Sequence, residues 1–388
     1  MPGRDLYEGP SAQIDLKDSA SLKFWGVLMQ KARIEDGKIT VEEDPEEVFQ
    51  LGGYGKLESG GLILKPVEAM SLLQREKIEV VKDGENLTEE ELYKEACSMT
   101  EGFHEELLVY QDMRRRGFVV RPGYSFPCDL RVYERGTSFD EDEKKLNHVK
   151  WLVDVVRTDS DFSLVEKIKK VENADNIRAK LALGIVDEEG DVTYYEVDKE
   201  KKLNSKTSKD LDGTERAKGF LDGNTVTVWE NLEGIYEPHY FGKKRKSRIE
   251  LNLMEAVFLA ERDKLEVARG EEKVTVEELL EIAREKDIEF EDKYKVYEDL
   301  REKGFLVKCG FKFGTHFRVY DRGVELKRGQ KSPDEHTKWV VHAVPSDEKW
   351  SYPELSRFVR LALNIRSKPT LGVVDKSKKY YRIRRIKP

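Results

Sequence analysis

"YGKLESGGLILKPVEAMSLLQREKIEV", residues 54–80, aligns without a gap with "FGKKRKSRIELNLMEAVFLAERDKLEV", residues 241–267. The offset of 187 residues continues downstream, where it carries Tyr133 onto Tyr320. A repeat of this length is too long for a solenoid, whose repeats are roughly 20–45 residues. The chain is therefore a tandem duplication of one large unit, and we call the two copies the first repeat and the second repeat.

Both repeats present the same order of predicted elements. An opening segment of short strands with Gly and Asp turns precedes a strand and a helix whose apolar residues recur at helical spacing. A second helix ended by Gly, three strands, a third helix and a closing pair of strands follow. In the second repeat these later elements are residues 293–305, 304–311, 315–323, 338–345, 351–368, 370–375 and 379–386. The sequence thus predicts an α/β fold in which each repeat has a small α/β opening subdomain and a mixed-sheet α/β main subdomain.

Composition shifts give the predicted boundaries. Residues 199–218 are polar and carry no apolar periodicity, which is typical of a linker. The expected order is residues 1–86 and 87–198 for the opening and main subdomains of the first repeat, the linker 199–218, and residues 219–270 and 271–388 for those of the second.

Composition also restricts the class of protein. The 388 residues are 38% hydrophobic and 38% charged, which is typical of a globular chain. No apolar stretch reaches the roughly 18 residues of a membrane span, and the N-terminus lacks the apolar core of a signal peptide, so we expect a cytoplasmic protein without a membrane partner. Cys97, Cys128 and Cys309 have no spacing typical of a disulfide framework or a zinc site. We therefore predict no metal and no cofactor.

Charge gives a mixed indication about nucleic acid. The net charge of −8 argues weakly against such a partner, but residues 242–248 and 376–388 are strongly basic. A basic run alone is commonly a solubilising surface. Tyr380 and Tyr381 lie within the second run, and aromatic rings among cations favour RNA, because both can stack on bases.

Three polar residues of the second repeat fall at the ends of predicted elements. Tyr320 ends a strand, His336 precedes one, and Lys368 closes a predicted helix. Singly, such residues usually serve packing or the helix dipole. Together they match RNA cleavage by its own 2′-hydroxyl, which needs a base, an acid and a cation near the phosphorus. His suits the acid because its pKa is about 6.5, whereas Tyr, with a pKa of about 10, needs nearby positive charge to act as a base.

The motifs "GFKFGTHFRVYDRG", "DEHTKWVVHAVP", "SYPELSRFVRLALNIRSK" and "VDEEGDVTYYEV" resemble those of the archaeal tRNA-splicing endonucleases over nearly the whole chain. The resemblance implies a nuclease-like main subdomain and excision of introns from precursor tRNA at a bulge-helix-bulge RNA, without a metal, leaving 2′,3′-cyclic phosphate and 5′-hydroxyl ends. It also implies a triad in which Tyr320 is the base, His336 the acid and Lys368 the charge stabiliser. Four such units assemble in the family, so a fused pair or a three-part type is expected to form a homodimer.

The first repeat keeps the same residue types at Tyr133, His148 and Lys180, so the triad does not identify the active copy. The surroundings differ. Arg360 aligns with Glu172 of the first repeat, and Arg382 aligns with Glu196. Guanidinium groups can bind phosphates and stack on a base, whereas carboxylates repel the backbone. We therefore predict that the second repeat is catalytic and that its RNA-binding residues are Arg357, Arg360, Arg382 and Arg384.

The first repeat has an acidic turn in place of the basic one. In the family such a loop inserts into a positive cleft of the opposite subunit, and the residues that match it here are Asp187, Glu188, Glu189 and Asp191. The alternative interpretation is a solvated hairpin turn.

Two other functions stay open from the residues alone. Acidic residues and Lys near a mixed sheet also serve metal-dependent nucleases. A non-catalytic RNA-binding scaffold with relic triads is the third possibility.

Overall fold

The computed structural model describes residues 29–139, 149–158, 161–205, 215–326, 336–345, 348–374 and 378–388. The chain forms two compact bodies, Met1–Phe103 and His104–Pro388. His148 and much of the predicted linker, residues 206–214, lie outside the described residues. Within the described ranges, no helix is long and apolar enough to cross a membrane.

The first body holds the opening subdomain of the first repeat. Its elements are β1 (Gln30–Glu35), β2 (Lys38–Val41), α1 (Pro45–Gln50), β3 (Lys56–Glu58), β4 (Gly61–Leu64), α2 (Pro66–Gln74), β5 (Ile78–Lys82), β6 (Glu85–Asn86) and α3 (Glu89–Met99). The sheet has the order β3-β4-β2-β1-β5-β6, with β1 and β5 parallel. α3 packs on α2 and buries Leu92 and Ala96 completely, so this body continues past the predicted boundary at residue 86.

The main subdomain of the first repeat lies in the second body. Its elements are α4 (Phe103–Arg115), β7 (Val119–Pro122), β8 (Leu130–Tyr133), β9 (Val149–Arg157), β10 (Phe162–Ser163), α5 (Leu164–Asn176), β11 (Lys180–Val186) and β12 (Val192–Lys199). β9 and β11 are parallel neighbours joined through α5, as a βαβ unit requires.

The opening subdomain of the second repeat has the topology of the first. Its elements are β13 (Ala217–Asp222), β14 (Thr225–Val228), α6 (Leu232–Tyr236), β15 (Lys243–Lys244), β16 (Ile249–Asn252), α7 (Leu253–Glu261), β17 (Leu265–Arg269), β18 (Glu272–Val274) and α8 (Val276–Lys286). A buried Glu255 carboxylate accepts hydrogen bonds from the N–H of Gly242 and of Asn252, at 2.9 and 3.2 Å. Gly242 has φ +66°, and a Cβ there would meet the Glu250 carbonyl oxygen at 2.7 Å, so this turn requires glycine.

The main subdomain of the second repeat contains α9 (Phe290–Glu302), β19 (Leu306–Cys309), β20 (Phe317–Tyr320), β21 (Trp339–Val344), β22 (Lys349–Trp350), α10 (Tyr352–Asn364), β23 (Lys368–Val373) and β24 (Lys379–Ile386). The prediction that Lys368 closes the preceding helix is wrong. α10 ends at Asn364 because Arg366 takes a left-handed conformation (φ +55°), and the Ser367 N–H then bonds back to the Ala362 carbonyl at 2.9 Å. Lys368 is therefore the first residue of β23.

The two main subdomains share one ten-stranded sheet of order β19-β20-β21-β23-β24-β12-β11-β9-β8-β7. The order is symmetric about the antiparallel pair β12 and β24, in which Val197 faces Ile383. A smaller antiparallel pair, β10 with β22, joins the repeats a second time. The sheet is therefore continuous from one repeat to the other.

Ion pairs accompany this junction. Arg382 contacts Asp198 at 3.1 Å, Arg384 contacts Glu196, and Lys379 contacts Glu172. Three basic residues of the stretch 376–388 are thus paired with acids of the first repeat.

Candidate active site

Three neighbouring strands bring the predicted triad of the second repeat to one edge of the sheet. In the antiparallel pair β20 and β21, Val319 faces Trp339, so Tyr320 lies beside the start of β21. In the parallel pair β21 and β23, Trp339 faces Lys368. His336 is exposed and lies three residues before Trp339, at that same edge. We call this the catalytic edge: the end of β20 and the starts of β21 and β23.

Tyr320 is 2% exposed and packs with Tyr240 and Leu306. Arg318, two residues earlier on the same face of β20, donates a hydrogen bond from Nη1 to the Tyr320 hydroxyl oxygen at 3.4 Å. The Arg318 Nε also donates to the Cys309 carbonyl at 2.9 Å, which fixes the guanidinium. The predicted role of Tyr320 as a base calls for a nearby cation, and Arg318 was not singled out from the sequence as that cation.

Lys368 has a half-exposed side chain beside the indole of Trp339. Its ammonium is 5.6 Å from the centroid of that ring and 3.7 Å from a carboxylate oxygen of Glu200. The ammonium groups of Lys338 and Lys202 lie 5.3 and 6.0 Å from the same ring, so three cations surround it.

Trp339 itself is fully buried, and its indole N–H has no acceptor among the described residues. The sequence did carry a signal for Trp339, because the Lys-Trp dipeptide of residues 150–151 recurs at 338–339, the same offset of 188 that carries Lys180 onto Lys368.

Asp321 follows Tyr320 directly and binds two of these lysines. Its carboxylate contacts the ammonium of Lys202 and, at 2.6 Å, that of Lys338. Partial burial by itself would raise the pKa of Asp321, but the hydrogen bonds from Lys202 and Lys338 lower it to about 2. Asp321 is therefore ionised at neutral pH.

The first repeat builds the same edge from Tyr133 at the end of β8 and Lys180 at the start of β11, with Lys180 facing Trp151. Here the environment of the lysine is different. Glu196, only 3% exposed, accepts hydrogen bonds from Lys180 at 2.9 Å and from the Trp151 indole at 3.1 Å, and it also contacts Arg384. Burial opposes ionisation of Glu196, yet the bonds from Arg384, Lys180 and Trp151 lower its pKa. The Lys180 ammonium therefore has a strong anionic partner inside the protein.

The four predicted RNA-binding arginines do not form one group. Arg357 and Arg360 are exposed on α10. Arg382 and Arg384 alternate with Tyr381 and so face the side of β24 opposite to α10, where they pair with Asp198 and Glu196. Binding of RNA by Arg382 and Arg384 would require those ion pairs to rearrange, and it stays a prediction.

The acidic turn joins β11 to β12 and is well formed. Asp187 accepts hydrogen bonds from the N–H groups of Glu189 and Asp191 at 3.0 and 2.9 Å, and Gly190 has φ +81°. All four acidic side chains are exposed, and within the described part of the chain none pairs with a lysine or arginine: Asp187, Glu188, Glu189 and Asp191.

Sequence comparisons identify both kinds of subdomain twice. The family described as tRNA intron endonuclease, N-terminal domain, matches residues 30–93 and 217–280. The one described as tRNA intron endonuclease, catalytic C-terminal domain, matches residues 103–194 and 290–381.

Relatives that align over nearly their whole length are named tRNA-splicing endonuclease. A tRNA-splicing endonuclease of Methanococcoides burtonii is 34% identical over 363 residues, covering 92% of this chain and 99% of the relative. One of Methanosarcina mazei is 30% identical over 358 residues, covering 91% and 97%. A tRNA-splicing endonuclease of Thermococcus gammatolerans is 39% identical over 168 residues, 42% of this chain but 95% of the relative, which has the length of one repeat. The chain, with both domains of the family in duplicate, belongs to the tRNA intron endonuclease family.

Proposed function

We propose that this protein excises introns from precursor tRNA and that its second repeat performs the cleavage. Membership of the family makes it an endoribonuclease of tRNA introns. The proposal goes further in naming a bulge-helix-bulge RNA as the substrate and 2′,3′-cyclic phosphate and 5′-hydroxyl ends as the products. The proposed reaction needs neither a metal nor a cofactor.

The reaction follows from three groups at the catalytic edge. Tyr320 acts as its phenolate: the phenolate oxygen takes the proton of the 2′-hydroxyl and becomes a neutral hydroxyl, and the 2′-oxygen attacks the adjacent phosphorus. The bond from phosphorus to the 5′-oxygen breaks, and His336 donates a proton to that oxygen. The Lys368 ammonium stabilises the negative charge that grows on the phosphoryl oxygens. Arg318 supports the base role, because its guanidinium hydrogen bonds to the Tyr320 hydroxyl.

The observation that carries the choice of repeat is the environment of the two lysines. Lys180 is bonded at 2.9 Å to a nearly buried carboxylate, whereas the acid nearest to Lys368 among the described residues is Glu200, at 3.7 Å. A cation already paired inside the protein stabilises a developing phosphoryl charge less, since the added charge must compete with Glu196. We therefore assign the first repeat an architectural role.

A homodimer is the proposed assembly. Its support is the exposed acidic turn, whose carboxylates have no cation partner in the described part of the chain and so suit a positive cleft on a second copy. Replacing Glu188 and Glu189 by Lys should lower the molar mass measured by light scattering to that of one chain. An unchanged mass in that double variant would contradict this role of the turn.

The cytoplasm is the proposed location, because the relatives named above come from archaea, whose cells have no nucleus, so that their precursor tRNA is processed in the cytoplasm.

Cleavage of a bulge-helix-bulge RNA in excess EDTA tests the proposal. We expect the wild type to cleave and leave cyclic phosphate, with activity lost in His336→Ala and Lys368→Ala but retained in His148→Ala and Lys180→Ala. Loss in the His148 or Lys180 variants instead would transfer catalysis to the first repeat.

Two other outcomes would select the alternative functions. Activity abolished by EDTA and restored by a divalent cation would identify a metal-dependent nuclease. Tight binding of the bulged RNA without any cleavage would identify an RNA-binding scaffold.

A further inference from the structure

Residues 200–205 follow β12 of the first repeat and pack against the second repeat; we call them the inter-repeat segment. The Asn204 side chain donates to the Tyr380 carbonyl at 2.8 Å and accepts from the Tyr380 N–H at 3.0 Å. The Glu200 N–H donates to the same carbonyl at 2.9 Å, and Leu203 is fully buried in the core. The segment is therefore fixed along β24 and, up to Ser205, does not behave as a solvated linker.

The segment also binds the turn that follows the proposed base. Lys202 contacts the carboxylate of Asp321, the residue directly after Tyr320. Ser205 Oγ accepts a hydrogen bond from Arg322 at 3.2 Å. Two consecutive residues of the turn are thus held by side chains of the segment, and Tyr320 precedes them by a single peptide bond.

A third contact reaches the proposed charge stabiliser. Glu200 is 7% exposed, and one of its carboxylate oxygens lies 3.7 Å from the Lys368 ammonium. Lys202 and Lys368 approach the same indole ring, that of Trp339, at 6.0 and 5.6 Å from its centroid. The segment therefore touches both sides of the catalytic edge.

We infer that the inter-repeat segment positions Tyr320 and Lys368 for RNA cleavage, through the Lys202–Asp321 and Glu200–Lys368 contacts. The first repeat then contributes a positioning element to the site of the second. This inference rests on the proposed function. Its physical basis is that reacting groups must be held in place by their neighbours, and that a misplacement of about 1 Å can reduce a rate roughly a hundredfold.

A competing interpretation is that Lys202 binds the RNA backbone directly. The two differ in what a mutation changes. A positioning residue alters the rate of the bound complex, whereas a phosphate contact alters affinity and its dependence on salt. The position of the ammonium, already bound to Asp321, favours positioning.

The test is single-turnover cleavage measured against RNA concentration for Lys202→Met, with Lys201→Met as the matched control. Lys201 is the exposed neighbouring residue, so both variants lose one positive charge at nearly the same place. For Lys202→Met we expect the maximal rate to fall roughly tenfold to a hundredfold, with the half-saturating RNA concentration changed by less than about twofold. Lys201→Met should keep the wild-type rate.

A double-mutant cycle with Asp321→Asn identifies the route of the effect. If Lys202 acts through Asp321, the double variant is no slower than Asp321→Asn alone. Lys202→Arg, which keeps a cation within reach of Asp321, should recover most of the rate. The assays are run well below the unfolding midpoint of each variant, so that loss of folded protein does not imitate loss of rate.

Three results would overturn the inference: a Lys202→Met rate equal to that of Lys201→Met, additive effects in the cycle, or a rise in half-saturating RNA concentration with the maximal rate unchanged. The last would establish direct RNA contact. A wild type that gives no cyclic phosphate would instead refute the proposed function, and the two failures are thus distinguishable.

Discussion

Removing the charge of Glu196 should destabilise the second body, because this carboxylate joins the two repeats. It is 3% exposed and binds Lys180, Trp151 and, across the junction of β12 and β24, Arg384. Glu196→Gln keeps the shape but removes the anion. The loss of a buried hydrogen bond to a charged group costs about 1.5–3 kcal/mol. Because the Lys180 and Arg384 side chains are more than a third exposed and regain water when the anion is removed, we expect a total loss of stability of about 2 kcal/mol.

That free energy converts into a shift of the unfolding midpoint. The body His104–Pro388 has about 285 residues, for which an unfolding entropy of roughly 2.1 cal/mol/K per residue gives about 0.6 kcal/mol/K. Glu196→Gln should then unfold about 3 °C below the wild type at pH 7 by calorimetry. Glu281→Gln is the control, since Glu281 is exposed on α8 and makes no ion pair within the described ranges.

The pH dependence decides whether the reasoning holds. The folded state lowers the pKa of Glu196, so the stabilisation is complete above the unfolded pKa of about 4.3 and is lost only as pH falls through the lower folded value. The midpoint difference between wild type and Glu196→Gln should therefore be constant from pH 8 to pH 5. A difference that shrinks between pH 7 and pH 5, or no difference at pH 7, would refute this account.

Three further predictions concern single side chains. Trp151→Phe should cost about 1–2 kcal/mol more stability than Trp339→Phe, because among the described residues the Trp151 indole has an acceptor to lose and the Trp339 indole has none. Equal shifts of the unfolding midpoint by calorimetry would contradict this. Burial, and after it repulsion from a neighbouring imidazole and a lysine, lowers the pKa of His316 to about 2. Below about pH 6.5 the unfolded chain therefore binds a proton that the folded chain does not, and stability falls as pH drops from 7 to 5. His316→Gln should weaken that fall by up to about 1.4 kcal/mol per pH unit, and an unchanged slope of stability against pH would contradict this. Arg318→Met should slow cleavage at saturating RNA because the Tyr320 hydroxyl loses its cation, whereas a change confined to RNA affinity would exclude that role.

Much of the site was predictable from element ends. The repeat and its periodicity gave the strands that carry Tyr320 and Lys368, and the register of β20, β21 and β23 then brought these residues to one edge. The contact of Arg318 with Tyr320 could have been inferred too, because residues two apart on a strand share a face. Trp339 was harder to recognise, since an aromatic residue in an apolar strand is typical of a core.

The errors and omissions have physical reasons as well. Lys368 was predicted to end a helix, but the left-handed Arg366 stops α10 earlier, and non-glycine residues in that conformation leave little trace in a sequence. The segment 200–205 looks like a linker because its composition is polar. Its order comes from partners far along the chain, such as Tyr380 and Asp321.

The sequence by itself determined the duplication, the α/β class, the order of elements and the residues at their ends, because hydrophobic periodicity and turn residues act locally. Only the tertiary structure decided that β12 and β24 unite the repeats in one sheet, that Glu196 holds Lys180, and that the inter-repeat segment reaches Lys368. Strand edges pair through backbone groups common to all residues, and ion pairs form between side chains distant in sequence. Which partners meet is therefore fixed by the folded chain as a whole.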